Sequence, residues 1–160
     1  MHAEAIRQIC HWHETRRPEF IADIGALNIN GSIKDFLSRE RIIGFDVYDG
    51  KDVDVVIKEG EIPEQYIEKF DGAVMTSSLL CCVDPSAMAK QAYDLLVKGG
   101  HLFVTTCSDS CTITHTVSPV TADRHRFNII TLESVFQPYF YGYAYQLDDP
   151  YHLYYKGERR

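Results

Sequence analysis

The chain has 160 residues, 45% hydrophobic and 24% charged, with 23 acidic against 16 basic side chains and a formal charge of −7. These values fit one globular domain over 1–160 with a sizeable core and argue against disorder; the acidic balance argues against general nucleic-acid binding, which needs clustered Lys and Arg. No apolar run approaches the roughly 18 residues of a membrane span, the polar start MHAEAIRQICHWHE does not read as a signal peptide, and five cysteines, two of them adjacent, do not read as a disulfide framework. A cytoplasmic protein with reduced thiols and no membrane partner is expected.

Ile6, Ile9, Cys10 and His13 recur on one face of Ala3–Glu14, with Trp12 beside them, which predicts a leading helix ended by Pro18. His11 and His13, two apart on that helix, cannot aim at one metal ion. Phe20–Leu27, FIADIGAL, is apolar except for Asp23 and reads as a strand buried on both faces of a parallel sheet. Gly25 and Gly31 bracket a turn. Asn30 or Ser32 then caps a helix, with Ser32 and Asp35 as a capping-box-like pair and Ile33, Phe36 and Leu37 on its apolar face. A strand, a glycine-bearing turn and a helix N-terminus are how a doubly wound α/β sheet grips a nucleotide-like cofactor. Arg41–Val47 is the second strand, and Asp46 lies 21 positions after Gly25, where this fold hydrogen-bonds a ribose. The full G-x-G-x-x-G string is absent, which turns the reading away from dinucleotides and from a nicotinamide-dependent oxidoreductase.

The loop YDGKD is too short for a crossover helix, so Val53–Ile57 is predicted as a short third strand at a sheet edge. Pro63 starts a short helix or turn. Phe70–Thr76 is the fourth strand and Pro85–Val97 a helix with Met88, Ala92, Leu95 and Leu96 on one face, stopped by Gly99 and Gly100 before a fifth strand, His101–Thr106. The long polar stretch Ser108–Asn128 reads as a lid over the site. A helix over Thr131–Tyr139, capped by Thr131, leads into two tyrosine-rich strands, YFYGYAYQL and YHLYYKG, which read as an antiparallel hairpin.

In this order the pieces resemble the class I S-adenosylmethionine-dependent methyltransferases, specifically a compact branch with a first motif D/E-I-G-x-x-x-x-N-G-S. The matching residues are Asp23-Ile-Gly25-Ala-Leu-Asn28-Ile-Asn30-Gly31-Ser32, then Ile43-Gly44-Phe-Asp46, Val53-Asp54-Val-Val, Phe70-Asp71 through Ser77-Ser78, and Leu95 through Val104. The resemblance implies an α/β fold with a doubly wound, Rossmann-like sheet of seven strands, mostly parallel, with an antiparallel C-terminal pair. It implies S-adenosylmethionine as cofactor over the carboxyl ends of strands one to four. Gly25, Ala26 and Gly31 would lie near its methionine part and Asp23 near its amino group, with Asn28 in the same motif. Asp46, followed by Val47, would hold the ribose, and Thr76 and Ser77 would line the methyl-transfer side. The partner implied is a methyl acceptor of unidentified class, and the protein itself need only align an in-line attack on an already activated carbon.

Where the family often has a Glu-His pair after strand four, this chain has Cys81-Cys82. The catalytic residue is therefore open, with His115 and His125 as candidates for a base where the acceptor needs deprotonation. Arg126-Phe127 resembles an Arg-Phe pair that similar members carry before the last helix, and either substrate contact or pairing with a carboxylate fits the arginine. Cys107, Cys111 and His115 are spaced four apart, but in a strand or loop that spacing assembles no metal site, and buried thiols are expected instead. The alternative to an enzyme is a non-catalytic module of the same fold, kept for protein association or cofactor binding alone.

Overall fold

The computed structural model describes residues 3–111 and 122–160. In chain order the elements are α1 (Ala3–Arg16), β1 (Ile21–Ile24), β2 (Ile42–Asp46), β3 (Val55–Val56), β4 (Phe70–Thr76), α2 (Pro85–Leu95), β5 (Leu96–Cys107), α3 (Ile129–Phe136), β6 (Phe140–Gln146) and β7 (His152–Arg159). The strands form one seven-stranded sheet in the order β3-β2-β1-β4-β5-β7-β6. Pairings from β3 to β5 are parallel, and β7 runs antiparallel to both β5 and β6. The expected doubly wound sheet with its antiparallel C-terminal pair is therefore present.

Side chains alternate across the strands, and the two faces bury different sets. Ala22, Ile24, Met75, Leu102 and Val104 face α2 and α3, meeting Met88, Ala92, Leu95, Leu132 and Phe136. Ile21, Val74, Phe103 and Tyr154 face the other way, onto Ile9 and Trp12 of α1 and onto Ile33. Among the described residues no helix is long and apolar enough to cross a membrane.

Four expectations need correction. The helix predicted after the glycine turn is a three-residue 3-10 turn, Ile33–Asp35, although Ser32 and Asp35 do form the expected capping box. Only nine residues separate Ser32 from β2. An α-helix rising ~1.5 Å per residue would use them all and leave none to turn back into the sheet, so the chain stays in more extended 3-10 turns. The third strand is confined to Val55–Val56, paired with Phe45 and Asp46; just before it Asp54 N–H donates to the Gly44 carbonyl, but the Gly44 N–H is taken by the Asp54 side chain instead of a strand carbonyl. The helix predicted over Pro85–Val97 ends at Leu95, and Gly99 and Gly100 lie within β5. Phe70 pairs with Leu96 and Gly72 with His101, so Val97–Gly100 bulges out, with Gly99 at φ 76°. The last helix starts at Ile129, capped by Asn128. Its side chain accepts from the Thr131 N–H, and Thr131 answers as the third-position partner of a capping box.

Candidate active site

A cavity of about 430 Å³ lies over the carboxyl ends of β1, β2, β4 and β5. Its floor is the turn after β1. Gly25 takes φ 79°, and a Cβ there would stand 2.2 Å from the Cβ of Ser78, so a side chain at this position would collide with the wall opposite. The Gly25 and Ala26 N–H groups both donate to the Phe45 carbonyl, at 2.8 and 3.1 Å, which ties the turn to β2. Past it, the Asn28 side chain donates to Asp52 at 2.6 Å and accepts from the Gly31 N–H at 2.9 Å. Of the nine cofactor-binding candidates, Asp23, Gly25, Ala26, Gly31, Asp46, Val47, Thr76 and Ser77 line the cavity, and Asn28 does not. Asn28 instead braces the loop behind it.

Asp46 ends β2 at one extremity. Its Oδ2 accepts from Leu27 N–H and its Oδ1 from Tyr48 N–H, both at 3.0 Å. A carboxylate offers about four acceptor sites, so two further donors can be taken. Asp23 sits deeper, 2% exposed, and its Oδ1 has no hydrogen-bond partner among the described residues. Burial pushes its carboxyl up to about 7; the Lys34 ammonium opposes this and the carboxylates of Asp46, Asp52 and Asp54 reinforce it. Ser78 Oγ, also on the wall, is a second buried oxygen with no such partner. Ser77 holds a left-handed conformation at φ 61°, with its N–H donating to the Thr105 carbonyl at 2.8 Å, so strand four ends in a sharp turn at the cavity wall.

Behind the floor is Lys34, a residue that sequence reasoning passed over. Its side chain is 5% exposed and its Nζ bonds the Asp54 carboxylate and, at 2.9 Å, the Asp52 carbonyl. The signal available was a lysine directly after Ile33 in an otherwise apolar-faced turn. Glu59, on the side of the cavity near Ile57, accepts from the Val83 and Asp84 N–H groups at 2.9 and 2.5 Å, joining the loop after β3 to the start of α2.

The far end is lined by Thr105, Cys107, Asp123, Arg124, His152 and the pair Cys81-Cys82. Burial pushes the Cys82 and Cys107 thiols up to about 12, and Cys81 upward as well. Asp123 is ion-paired with Arg126 at 2.7 Å, and Phe127 is in the core, so the arginine pairs with a carboxylate of its own loop. Of the two candidate bases, His125 does not line the cavity: its Nε2 lies 3.0 Å from the Cys82 carbonyl, to which it donates. His115 lies outside the described residues, as do the other residues of 112–121 in the stretch read as a lid. Its described ends close in on the site, with Arg124 and His125 N–H both donating to the Leu80 carbonyl and Ser108 bridged to Phe127. His152 was missed, although Asp149-Pro-Tyr-His152 in a turn was a readable signal.

No protein-family model matches the sequence, and no curated protein is significantly similar to it. Solved structures do match. The fold is that of the S-adenosylmethionine-dependent methyltransferases. The 1,6-didemethyltoxoflavin-N1-methyltransferase of Burkholderia thailandensis, solved with 1,6-didemethyltoxoflavin and S-adenosylhomocysteine, superposes with a TM-score of 0.71 at 17% identity, over 97% of this chain and 78% of that one. The N-methyltransferase NodS of Bradyrhizobium japonicum, in complex with S-adenosylhomocysteine, gives 0.68 at 14% identity, over 98% and 86%. A possible histamine N-methyltransferase of Thermotoga maritima gives 0.65 at 16%, over 98% and 97%. In methyltransferase terms the cavity occupies the carboxyl-edge crevice, where open α/β sheets bind ligands.

Proposed function

We propose that the chain is a methyltransferase that takes its methyl group from S-adenosylmethionine and passes it to a small-molecule acceptor. The observation that carries this reading is Asp23: a carboxylate buried at the cavity floor with an oxygen that no described group satisfies. Leaving such an atom bare is costly, and the cofactor's amino group is a donor of the right charge for it. Asp46, at the other extremity, keeps acceptor capacity for two ribose hydroxyls, and the small residues Gly25 and Ala26 leave the methionine portion room between them. The cofactor supplies an activated methyl carbon, and the chain supplies binding and alignment. Five free thiols suit a reducing compartment such as the cytoplasm.

The reading as a module kept for association alone is disfavoured by the same atom, because a scaffold needs no buried, unsatisfied carboxylate on its cavity floor. Thermal unfolding with S-adenosylhomocysteine tests the proposal. At about a hundredfold excess over Kd, binding adds about 2.7 kcal/mol, enough to raise Tm by several degrees. No shift at millimolar ligand would refute it.

A further inference from the structure

Arg124 is the one lysine or arginine among the described residues that line the cavity; the acids there are Asp23, Asp46, Glu59 and Asp123. Asp46 and Glu59 already accept from backbone N–H groups, Asp23 lies at the floor under the pull of Lys34, and Asp123 is ion-paired with Arg126 at 2.7 Å. No hydrogen bond or ion pair joins the Arg124 guanidinium to another described residue. The side chain is exposed, so it stands at the cavity rim.

The segment that carries it is fixed. Arg124 and His125 N–H donate to the Leu80 carbonyl at 2.7 and 3.1 Å, and His125 Nε2 donates to the Cys82 carbonyl at 3.0 Å. Phe127 is in the core, and its carbonyl accepts from Asp109 N–H at 2.8 Å. Within 123–127 every side chain but that of Arg124 is committed to the protein itself. The stretch is strapped along the turn after β4 and holds out one side chain. Its place is the acceptor half of the cavity, beside Cys81 and Cys107. Cys107 ends β5, three strand spacings from the strand of Asp46. At ~4.8 Å each that is about 14 Å along the sheet edge, past an adenosyl group held at Asp46.

The charge of Arg124 is felt at the wall. Burial pushes the Cys81 thiol up and the Asp123 carboxylate adds to this, while the guanidiniums of Arg124 and Arg126 oppose it. Between Asp109 and Asp123 the sequence has no acidic residue, so two guanidiniums meet one carboxylate and the stretch 123–126 is net positive. Other ionisable groups of this end do not offset it. Cys81, Cys82 and Cys107 are pushed upward by burial and stay protonated at neutral pH, and the His152 ring has Asp149 at 2.6 Å from its Nδ1. In a chain of formal charge −7 with an acid-lined cavity, this rim is a local inversion of charge.

We propose that Arg124 recognises a carboxylate on the methyl acceptor, so that the substrates are small carboxylic acids held by their anionic group while another of their atoms takes the methyl. The inference rests on the methyltransferase reading. A guanidinium offers N–H donors in a planar fork that matches a carboxylate, and one unpartnered guanidinium suits one negative charge better than the two of a phosphate monoester. The carboxylate so bound directs its lone pairs at the fork and serves as a handle, not as the nucleophile. The acids at the other end of the cavity repel the same group, which fixes the direction in which the acceptor enters.

The test uses the full chain saturated with S-adenosylhomocysteine and two carboxylates, acetate and benzoate, each against its neutral isostere, acetamide or benzamide, at constant ionic strength. The Arg124 Nε–H resonance, assigned by its loss in R124Q, reports contact. At least one carboxylate should shift it at millimolar concentration, and the matching amide should bind at least about tenfold more weakly, because the charge-assisted bonds are lost. R124Q should bind S-adenosylhomocysteine within about threefold of the wild type and show no preference for acid over amide; R124K, which keeps the charge without the fork, should retain part of that preference. Acid and amide binding equally well, a preference that survives in R124Q, or a resonance that neither carboxylate moves up to about 100 mM would overturn the assignment. A wild type that fails to bind S-adenosylhomocysteine overturns the methyltransferase reading itself, a failure distinguishable from all of these.

Discussion

Replacing Asp23 by Asn should make the protein more stable and the site worse, with a pH dependence that identifies the cause. An unfolded Asp titrates near ~3.9. In the folded chain burial lifts this carboxyl to about 7 against the pull of Lys34. The folded state therefore holds the proton more tightly than the unfolded one. Its stabilising contribution is complete below the unfolded value and is lost as pH rises through the folded value. The gap is about three pH units, each ~1.4 kcal/mol, so ionised Asp23 costs the native state on the order of 4 kcal/mol at high pH. D23N keeps the shape and removes the titration. Urea unfolding at a series of pH values should show the two proteins differing by a constant amount below about pH 4. The difference should then shift in favour of D23N by about 1.4 kcal/mol per unit and level off above about pH 7. In the wild type, S-adenosylmethionine affinity should fall roughly tenfold per unit below about pH 7, as the carboxylate proposed to meet the amino group is protonated, and in D23N it should be weak and flat over that range. A stability difference between D23N and wild type that stays constant from about pH 4 to 8 would refute the burial argument, whatever happened to binding.

Asp46→Ala removes the acceptor assigned to the ribose, and losing charge-assisted bonds of ~1.5–3 kcal/mol should weaken S-adenosylhomocysteine binding on the order of tenfold to a hundredfold by calorimetry. Stability should change by only about 1 kcal/mol, since the bonds lost go to Leu27 and Tyr48 N–H groups near the surface. Gly25→Ala combines a positive φ with a Cβ 2.2 Å from that of Ser78. It should cost about 2–5 kcal/mol in urea unfolding and close the cavity floor to the cofactor, and a loss under ~1 kcal/mol would mean that the turn relaxes freely.

The sheet and most of the floor were readable in the sequence because local rules and tertiary demand coincide there. An apolar run of β-branched and small residues interrupted by one acid is what a doubly covered strand with a functional end looks like, and Asp23 sits at that end. Helix ends were less legible. Gly99-Gly100 is a standard helix stop, yet the helix ends at Leu95 and the glycines serve a bulge, a choice settled by the pairing of β4 with β5. Thr131 is a good cap, but Asn128 three residues earlier caps as well, and only the reciprocal bonds between them decide which lies outside the helix. His152 was hidden for a different reason: its place on the cavity wall comes from β7 lying beside β5, a neighbour relation carried by the whole topology.

The lost helix between β1 and β2 and the raised Asp23 carboxyl have one physical root. In a fold of this type the segment after the glycine turn ordinarily brings a helix N-terminus, whose partial positive charge favours a nearby anion. Here nine residues are too few, the 3-10 turn has no macrodipole of consequence, and the compensating positive charge is a buried ammonium, Lys34. That ammonium is shared. Its Nζ is bonded to Asp54, whose same oxygen also accepts from Gly44 N–H at 2.7 Å, so much of the charge is spent fixing the loop behind the turn and Asp23 receives only the through-space remainder. A carboxylate left undercompensated in this way holds its proton near neutral pH and gives it up when a cation arrives. On the proposed reading, cofactor binding at the floor draws one proton from a side chain already in place.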